Sequence, residues 1–226
     1  MFIFIKSAFQ LYKINFWQVL LIGVTVILPI QIVYSIAVNF ISLPFFYFGI
    51  PLWPSIFQGL FMLISLFLMQ LPLISMAKQD IHYDDIKLSK TYGETIRHGF
   101  FAYVTSFPYA VIVVIGLLFF VVPGLIVLIL FMGIPYVKVI EERSIGVVLK
   151  KSFQFGKENF FNLLGYLLLF AAVDIGLSYF ISSLMIFYSN QFAALNWVLM
   201  LVNMFLFPVF VFSVVYLYEN WKNKWE

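Results

Sequence analysis

Residues 150–161 read Lys150-Lys151-Ser152-Phe153-Gln154-Phe155-Gly156-Lys157-Glu158-Asn159-Phe160-Phe161, a basic, amphipathic stretch that continues directly into a long apolar run. A similar passage occurs near the start of the chain, at Lys6-Ser7-Ala8-Phe9-Gln10-Leu11-Tyr12-Lys13-Ile14-Asn15-Phe16-Trp17. A weaker version ends in Arg97-His98-Gly99-Phe100-Phe101. Each passage is typical of a helix that lies at a membrane surface and leads into a transmembrane hairpin.

The composition is that of a membrane protein. Of the 226 residues, 64% are hydrophobic and 10% are charged, whereas soluble domains average about 45–50% apolar and about 25% charged residues. The chain has no cysteine, which excludes disulfides and cysteine metal sites. The net charge of +3 is too small and too dispersed to indicate nucleic-acid binding. We expect one integral membrane domain over residues 1–226, without a signal peptide.

Six apolar segments approach or exceed the length of a transmembrane helix, which needs about 20 apolar residues to cross ~30 Å of hydrocarbon. The predicted spans are about residues 16–40, 56–76, 100–121, 125–140, 159–188 and 192–218. Amphipathic interfacial helices are predicted at about residues 1–14, 80–97 and 142–157. The predicted fold is therefore all-α, a polytopic membrane protein with six transmembrane helices in three hairpins, each preceded by a cytoplasmic-side amphipathic helix.

Prolines and polar residues place the predicted connections. Pro29 is expected to kink the first span, because it has no backbone N–H to donate. Residues 41–54 contain three prolines and no charge, which predicts a loop. Residues 189–191, Ser-Asn-Gln, are expected to turn the fifth span into the sixth.

The third and fourth spans are joined by Pro123 and Gly124. Proline followed by glycine suits the two central positions of a type II turn, which predicts a tight hairpin. A re-entrant loop over residues 100–140 is the alternative, because the fourth segment is short.

The lysine and arginine residues orient the chain. All 13 lie in the N-terminus, residues 78–98, residues 138–157 and the C-terminus. The loops at 41–54, 122–124 and 189–191 contain none. With six spans, these two sets of segments lie on opposite sides of the membrane. Because lysine and arginine concentrate on the cytoplasmic side, we expect a bacterial plasma-membrane protein with both termini in the cytoplasm.

The chain also suggests an internal repeat. Matching Lys13 to Lys157 carries Asn15 onto Asn159. Each copy would be an interfacial helix followed by a transmembrane hairpin, and all copies would enter the membrane from the same side. The alternative is that any basic interface followed by an apolar helix gives this pattern.

Four short motifs between Val122 and Leu168 carry a family resemblance. They are Val122-Pro123-Gly124-Leu125-Ile126, Pro135, Ile140-Glu141-Glu142 and Leu149-Lys150-Lys151-Ser152. This part of the chain, about one fifth of it, resembles the YciC-like proteins and the membrane domain attached to some glycerophosphodiester phosphodiesterases. The resemblance implies a polytopic protein of six helices. The soluble phosphodiesterase domain has no counterpart in this sequence, so the resemblance does not imply diesterase activity.

Asp174 is the one ionisable residue deep within a predicted span. Ser178 and Ser182 follow it on the same helical face, and Asn196 and Asn203 share a face of the sixth span. A charge at mid-bilayer costs ~3 kcal/mol on insertion scales, so such residues usually face the bundle interior or a wet cavity. Asp174 therefore indicates either a site for a proton, a cation or a polar headgroup, or a neutral acid that joins helices by hydrogen bonds.

Two further groups of residues were weighed as sites. Lys150, Lys151 and Lys157 could bind anionic lipid headgroups, or they could serve topology alone. Residues 80–85, Asp-Ile-His-Tyr-Asp-Asp, place no three metal ligands on one helical face, so a solvated linker is expected there. No metal site and no cofactor are predicted.

Three functions fit this sequence. The first is a non-enzymatic membrane protein that interacts with lipids or with membrane protein partners, because no catalytic set is apparent. The second is a transport component, such as the permease subunit of an ABC exporter with an ATPase partner, in which residues 81–96 form a coupling helix. The third is a membrane-embedded lipid enzyme that uses Asp174.

Overall fold

The structure is a computed structural model that describes residues 2–50, 52–83, 85–188 and 192–224, with the side chains of residues 185–188 and 192–194 left out. Parts of the predictions fall outside these ranges, namely those for Met1, Pro51, Asp84 and residues 189–191. Within the described ranges the chain is helical and contains no strand, which confirms the predicted all-α class.

The described residues form ten α-helices and one π-helical segment. In chain order they are α1 (Phe2–Ile14), α2 (Phe16–Ile22), the π-helical segment (Gly23–Ile27), α3 (Leu28–Tyr47), α4 (Leu52–Tyr83), α5 (Leu88–Phe119), α6 (Val121–Phe131), α7 (Ile134–Glu141), α8 (Ile145–Glu158), α9 (Phe160–Tyr188) and α10 (Phe192–Lys222). Six stretches are long and apolar enough to cross a membrane: Phe16–Tyr47, Leu52–Tyr83, Leu88–Phe119, Val121–Glu141, Phe160–Leu184 and Leu195–Lys222. The number of candidate spans agrees with the sequence prediction.

The first span contains a wide turn where the sequence predicts a kink. The N–H of Leu28 donates to the carbonyl of Gly23, five residues earlier, and Pro29 follows in the first turn of α3. A π-helical turn beside a proline is a common way to absorb the lost backbone donor. Gly23 also lies against α10, where a Cβ would come within 2.7 Å of the Met204 side chain.

The first connection is shorter than the loop predicted over residues 41–54. Only residues 48–51 separate α3 from α4. Pro44 lies in the last turn of α3 and Pro54 lies in the first turn of α4. The three prolines favoured a longer loop in the prediction. Pro54 instead lies in the first turn of α4, where backbone N–H groups have no intrahelical acceptor, so its missing N–H costs no hydrogen bond.

A glycine-dependent cap ends α3. The N–H of Ile50 donates to the carbonyl of Phe45 at 3.0 Å, and the N–H of Gly49 donates to Phe46 at 3.2 Å. Gly49 has a φ of 67°, in the left-handed region. These two bonds form a Schellman motif, which satisfies the last carbonyls of the helix and favours glycine at this position.

Pro123 and Gly124 do not form the predicted type II turn. Phe120 alone separates α5 from α6, and both residues lie within α6. Pro123 occupies the first turn, where a missing donor costs nothing. Gly124 permits a close crossing with α5, because a Cβ there would lie 2.4 Å from the backbone nitrogen of Leu117 and 2.8 Å from the carbonyl carbon of Gly116. The dipeptide therefore starts one helix and packs it against another.

Most residues of the interfacial helix predicted at 80–97 lie in two longer helices. α4 runs on to Tyr83 and α5 begins at Leu88. Their ends are joined by Gln79, whose side chain donates to Thr91 at 2.9 Å and accepts from the backbone N–H of Lys87 at 3.0 Å. These hydrogen bonds hold the end of α4 against the start of α5. The middle copy of the proposed repeat consequently lacks its own short helix.

The other two short helices are present as separate elements. α1 and α8 begin and end within a few residues of the predicted bounds, 1–14 and 142–157. The large apolar residues 145, 148, 149 and 153 of α8 differ in their exposure. Val148 is buried against the bundle, whereas the other three are more than a third exposed. The buried face continues instead through Ser152 and Phe155.

α4 is the central helix of the bundle. Every residue from Met69 to Gln79 is buried, and the helix packs against α3, α5, α7 and α10. α9 lies at the periphery and leaves most of its side chains at least partly exposed. A polar group on this buried part of α4 is therefore surrounded by other parts of the protein, while one on α9 can face a cavity or lipid.

Candidate functional site

A cavity of about 440 Å³ lies between α3, α4, α9 and α10. Ten of the side chains that line it are apolar, mostly methionine, leucine and phenylalanine. The polar lining residues are Gln31, Tyr34, Ser65, Asp174 and Asn203.

Helical spacing brings these side chains to one place. On α9 the lining residues are Leu167, Phe170, Ala171 and Asp174, which recur at intervals of three and four. α4 repeats the same spacing from Met62 to Met69. Each helix therefore presents one continuous stripe to the cavity.

Asp174 lies in this cavity with an unsatisfied acceptor. Its Oδ1 is buried and has no hydrogen-bond partner among the described residues, and the same is true of Oε1 of Gln31. The two acceptors belong to helices on different sides of the cavity. Unpaired buried acceptors are unfavourable, so this part of the cavity attracts hydrogen-bond donors.

The predicted intramembrane site is only partly assembled in the structure. Asp174 and Asn203 both line the cavity, whereas Ser178, Ser182 and Asn196 are absent from its lining. Asn196 is exposed.

Three other lining residues, Gln31, Tyr34 and Ser65, are not among the predicted site residues. Gln31 and Ser65 are polar residues within apolar spans, which is the signal that identified Asp174.

A second polar site lies where α4, α5 and α7 meet. The ammonium of Lys78 is buried, donates to the Val139 carbonyl at 2.8 Å and lies 3.5 Å from the Glu142 carboxylate. It also lies 3.9 Å from the Glu94 carboxylate, and both of these side chains are 10% exposed. Arg97 binds the other oxygen of Glu142 at 2.9 Å. This cluster joins three helices; Lys78 and Glu94 are largely removed from solvent, whereas the side chains of Glu142 and Arg97 are 36% and 67% exposed.

Glu142 has an unusual backbone conformation for its residue type. Its φ of 55° lies in the left-handed region, at the end of α7. Partial burial raises the pKa of Glu142, but the charges of Lys78 and Arg97 lower it by more, so that its pKa is below the usual value. The ion pairs thus hold both the charge and the backbone of this residue in place.

Glu141 joins α7 to α8 and α10. Its carboxylate accepts from the Lys151 ammonium and from the Tyr218 hydroxyl. Lys151 is therefore paired within the protein rather than free for a lipid headgroup. Lys150 and Lys157 are exposed, and among the described residues neither forms an ion pair.

The last turns of α10 are tied to the same end of the bundle. The Tyr216 hydroxyl donates to Asp80 at 2.8 Å, and His82 lies 3.1 Å from Glu219. Asp80 and His82 thus anchor α10 and are not part of a solvated linker. The described residues include no group of three side chains placed to hold a metal ion.

No protein-family model, curated protein or solved structure matches this chain. The resemblance carried by residues 122–168 therefore stays a prediction. The cavity and the ionic cluster have to be interpreted from their own chemistry.

Proposed function

We propose that this protein is a non-enzymatic integral membrane protein that binds an amphiphile from the bilayer between α3, α4, α9 and α10. One observation carries the proposal: an apolar cavity within the bundle contains a buried carboxylate oxygen without a partner. An apolar lining holds hydrocarbon, and a few convergent polar groups orient the polar end of a ligand.

The size and position of the cavity support this function. Its volume of about 440 Å³ falls within the range of about 300–1,000 Å³ that is usual for small-molecule sites. Its walls are parts of helices that are apolar enough to lie in a membrane. A ligand of this cavity is therefore expected to come from the lipid phase.

The alternatives have less support. Asp174 is the one carboxylate among the lining residues, which include no histidine, lysine or cysteine. A hydrolytic lipid enzyme needs a nucleophile and an acid–base partner within hydrogen-bond reach. The ABC permease alternative relied on a coupling helix at residues 81–96, but most of these residues belong to the ends of α4 and α5.

Filling the cavity is expected to weaken lipid binding. Ala171 lines the cavity, and phenylalanine there would occupy its volume. The Ala171→Phe variant should retain about tenfold less lipid, a free-energy change of about 1.4 kcal/mol. The measurement is native mass spectrometry of delipidated protein exposed to a total bacterial lipid extract.

Ala172→Phe is the matched control, because Ala172 is exposed on the same helix and outside the cavity lining. It should bind as much lipid as the wild type. Equal retention by the two variants would contradict the proposal, as would wild-type protein that takes up no lipid.

We further propose that both termini lie in the cytoplasm of a bacterial plasma membrane. The basic segments from α4, α5, α7, α8 and α10 meet at one end of the bundle, which supports a single orientation for all of them. On that side, Lys150 and Lys157 are placed to attract anionic lipids.

Reporter fusions test this orientation. Alkaline phosphatase inserted after residue 47 or 190 is expected to be active, because it would be exported. Green fluorescent protein at the C-terminus is expected to fluoresce, because it would stay in the cytoplasm. Inactive phosphatase at both internal sites together with a fluorescent C-terminal fusion would show that the scheme of six spans is wrong.

A further inference from the structure

We infer that the ligand of this cavity is a lipid with an uncharged head that donates hydrogen bonds, such as a hydroxyl group, rather than a lipid with a phosphate head. This inference rests on the proposed function and narrows its ligand class. It follows from the unsatisfied acceptors, from the charges of the lining and from the position of Asp174 along α9.

The unsatisfied groups in the cavity are acceptors. Oδ1 of Asp174 on α9 and Oε1 of Gln31 on α3 are both buried without a hydrogen-bond partner among the described residues. Both side chains line the same cavity. Each hydroxyl or amine proton of a ligand can satisfy one of them, whereas an ether, an ester or a ketone supplies acceptors only.

The lining also excludes an anionic head. It contains no lysine, arginine or histidine, while it does contain the carboxylate of Asp174. A phosphate in this lining would hold its negative charge where no cationic side chain compensates it, which is costly in hydrocarbon. Lys78 and Lys151 form ion pairs with Glu142 and Glu141 at the basic end of the bundle instead.

The position of Asp174 favours an uncharged donor over a cationic one. Asp174 lies midway along α9, far from both ends of this helix. An ammonium group that moves to this depth must lose its hydration shell, which is costly in hydrocarbon. A hydroxyl loses less and can still donate to Asp174, while Asn203 and Tyr34 offer further polar contacts.

Matched single-chain probes test the head group directly. A sixteen-carbon alcohol with a diazirine in its chain is photo-crosslinked to the full-length protein in phosphatidylcholine nanodiscs. Unlabelled competitors are the same alcohol, its methyl ether, the corresponding primary amine and the alkyl phosphate. We expect the alcohol to compete about tenfold better than the ether, since the ether leaves the buried acceptors unpaired. The amine and the phosphate should compete less well than the alcohol.

Variants of Asp174 identify the acceptor. Asp174→Leu, which removes the carboxylate, should lower the affinity for the alcohol to that of the ether. Asp174→Asn retains a carbonyl acceptor and should keep most of the preference for the alcohol. Ala172→Phe, outside the cavity lining, should leave the preference unchanged. Size-exclusion profiles show whether each variant is folded before its binding is compared.

The outcomes separate this inference from the function on which it rests. Equal competition by alcohol and ether, or strongest competition by the phosphate, would overturn the inference while lipid binding stands. Strongest competition by the amine, lost in Asp174→Asn, would show an ion pair and would also overturn it. If no probe crosslinks to α3, α4, α9 or α10, both the inference and the proposed function are wrong.

Discussion

Replacing Gly156 with alanine is expected to lower the free energy of unfolding by about 3 kcal/mol, the upper part of the usual range for an overpacked site. Gly156 lies where α8 crosses α6. A Cβ at this position would come within 2.4 Å of the Leu130 carbonyl oxygen and within 2.6 Å of its Cα. Because these atoms are backbone, no side-chain rotation can relieve the overlap, and the two helices must separate.

A second glycine of the same helix serves as the control. A Cβ at Gly146 has nothing within 4 Å, so Gly146→Ala is expected to be neutral or to stabilise the protein by about 0.5 kcal/mol through the unfolded state. Both free energies can be measured by SDS titration of the protein in dodecyl maltoside micelles, followed by tryptophan fluorescence. Similar values for the two variants would show that α8 does not cross α6 at this glycine.

Replacing Lys78 with methionine is expected to destabilise the protein by about 3–5 kcal/mol, because removing one partner of a buried ion pair leaves the other charge uncompensated. Methionine matches the length and apolar character of the lysine stem. Glu94 would lose its nearest cation, and the carbonyl of Val139 would lose a donor at 2.8 Å. The same SDS titration measures the change.

Lys87→Met removes a comparable charge at an exposed site. Lys87 pairs with Asp85 at 3.7 Å, and their side chains are 72% and 69% exposed. Exposed pairs contribute little, so the expected effect is below about 0.5 kcal/mol. Adding Glu94→Gln to Lys78→Met should restore part of the stability, because the uncompensated acid is then removed. An equal loss in both lysine variants would contradict the buried cluster.

The coarse fold could be predicted because lipid imposes few choices on a chain. Apolar length identifies the six candidate spans, and every backbone donor within them must be satisfied by helix formation. The local predictions that were wrong concern residues whose type suits two different structures. Pro123 and Gly124 suit a turn, yet they equally suit a helix start and a close crossing, and only the position of α5 distinguishes these cases.

The sites were harder to predict than the spans. Asp174 and Asn203 stood out because polar residues are rare in apolar helices. Which polar residues meet depends on helix rotation and neighbours, which the sequence pattern does not determine, so Gln31 was missed. The cluster around Lys78 was missed because its partner Glu142 is 64 residues away in the chain. In the sequence, Lys78 and Glu142 each look like any charged residue near the end of a helix.

The complete enclosure of α4 between Met69 and Gln79 has a consequence for biosynthesis. One of the helices that enclose it is α10, which is synthesised after the other described helices. Until α10 has been synthesised, Asp80 and His82 lack their hydrogen-bond partners Tyr216 and Glu219. Assembly around α4 therefore finishes only once α10 has been synthesised, and a truncated chain that lacks α10 exposes an incomplete surface to membrane quality-control proteases.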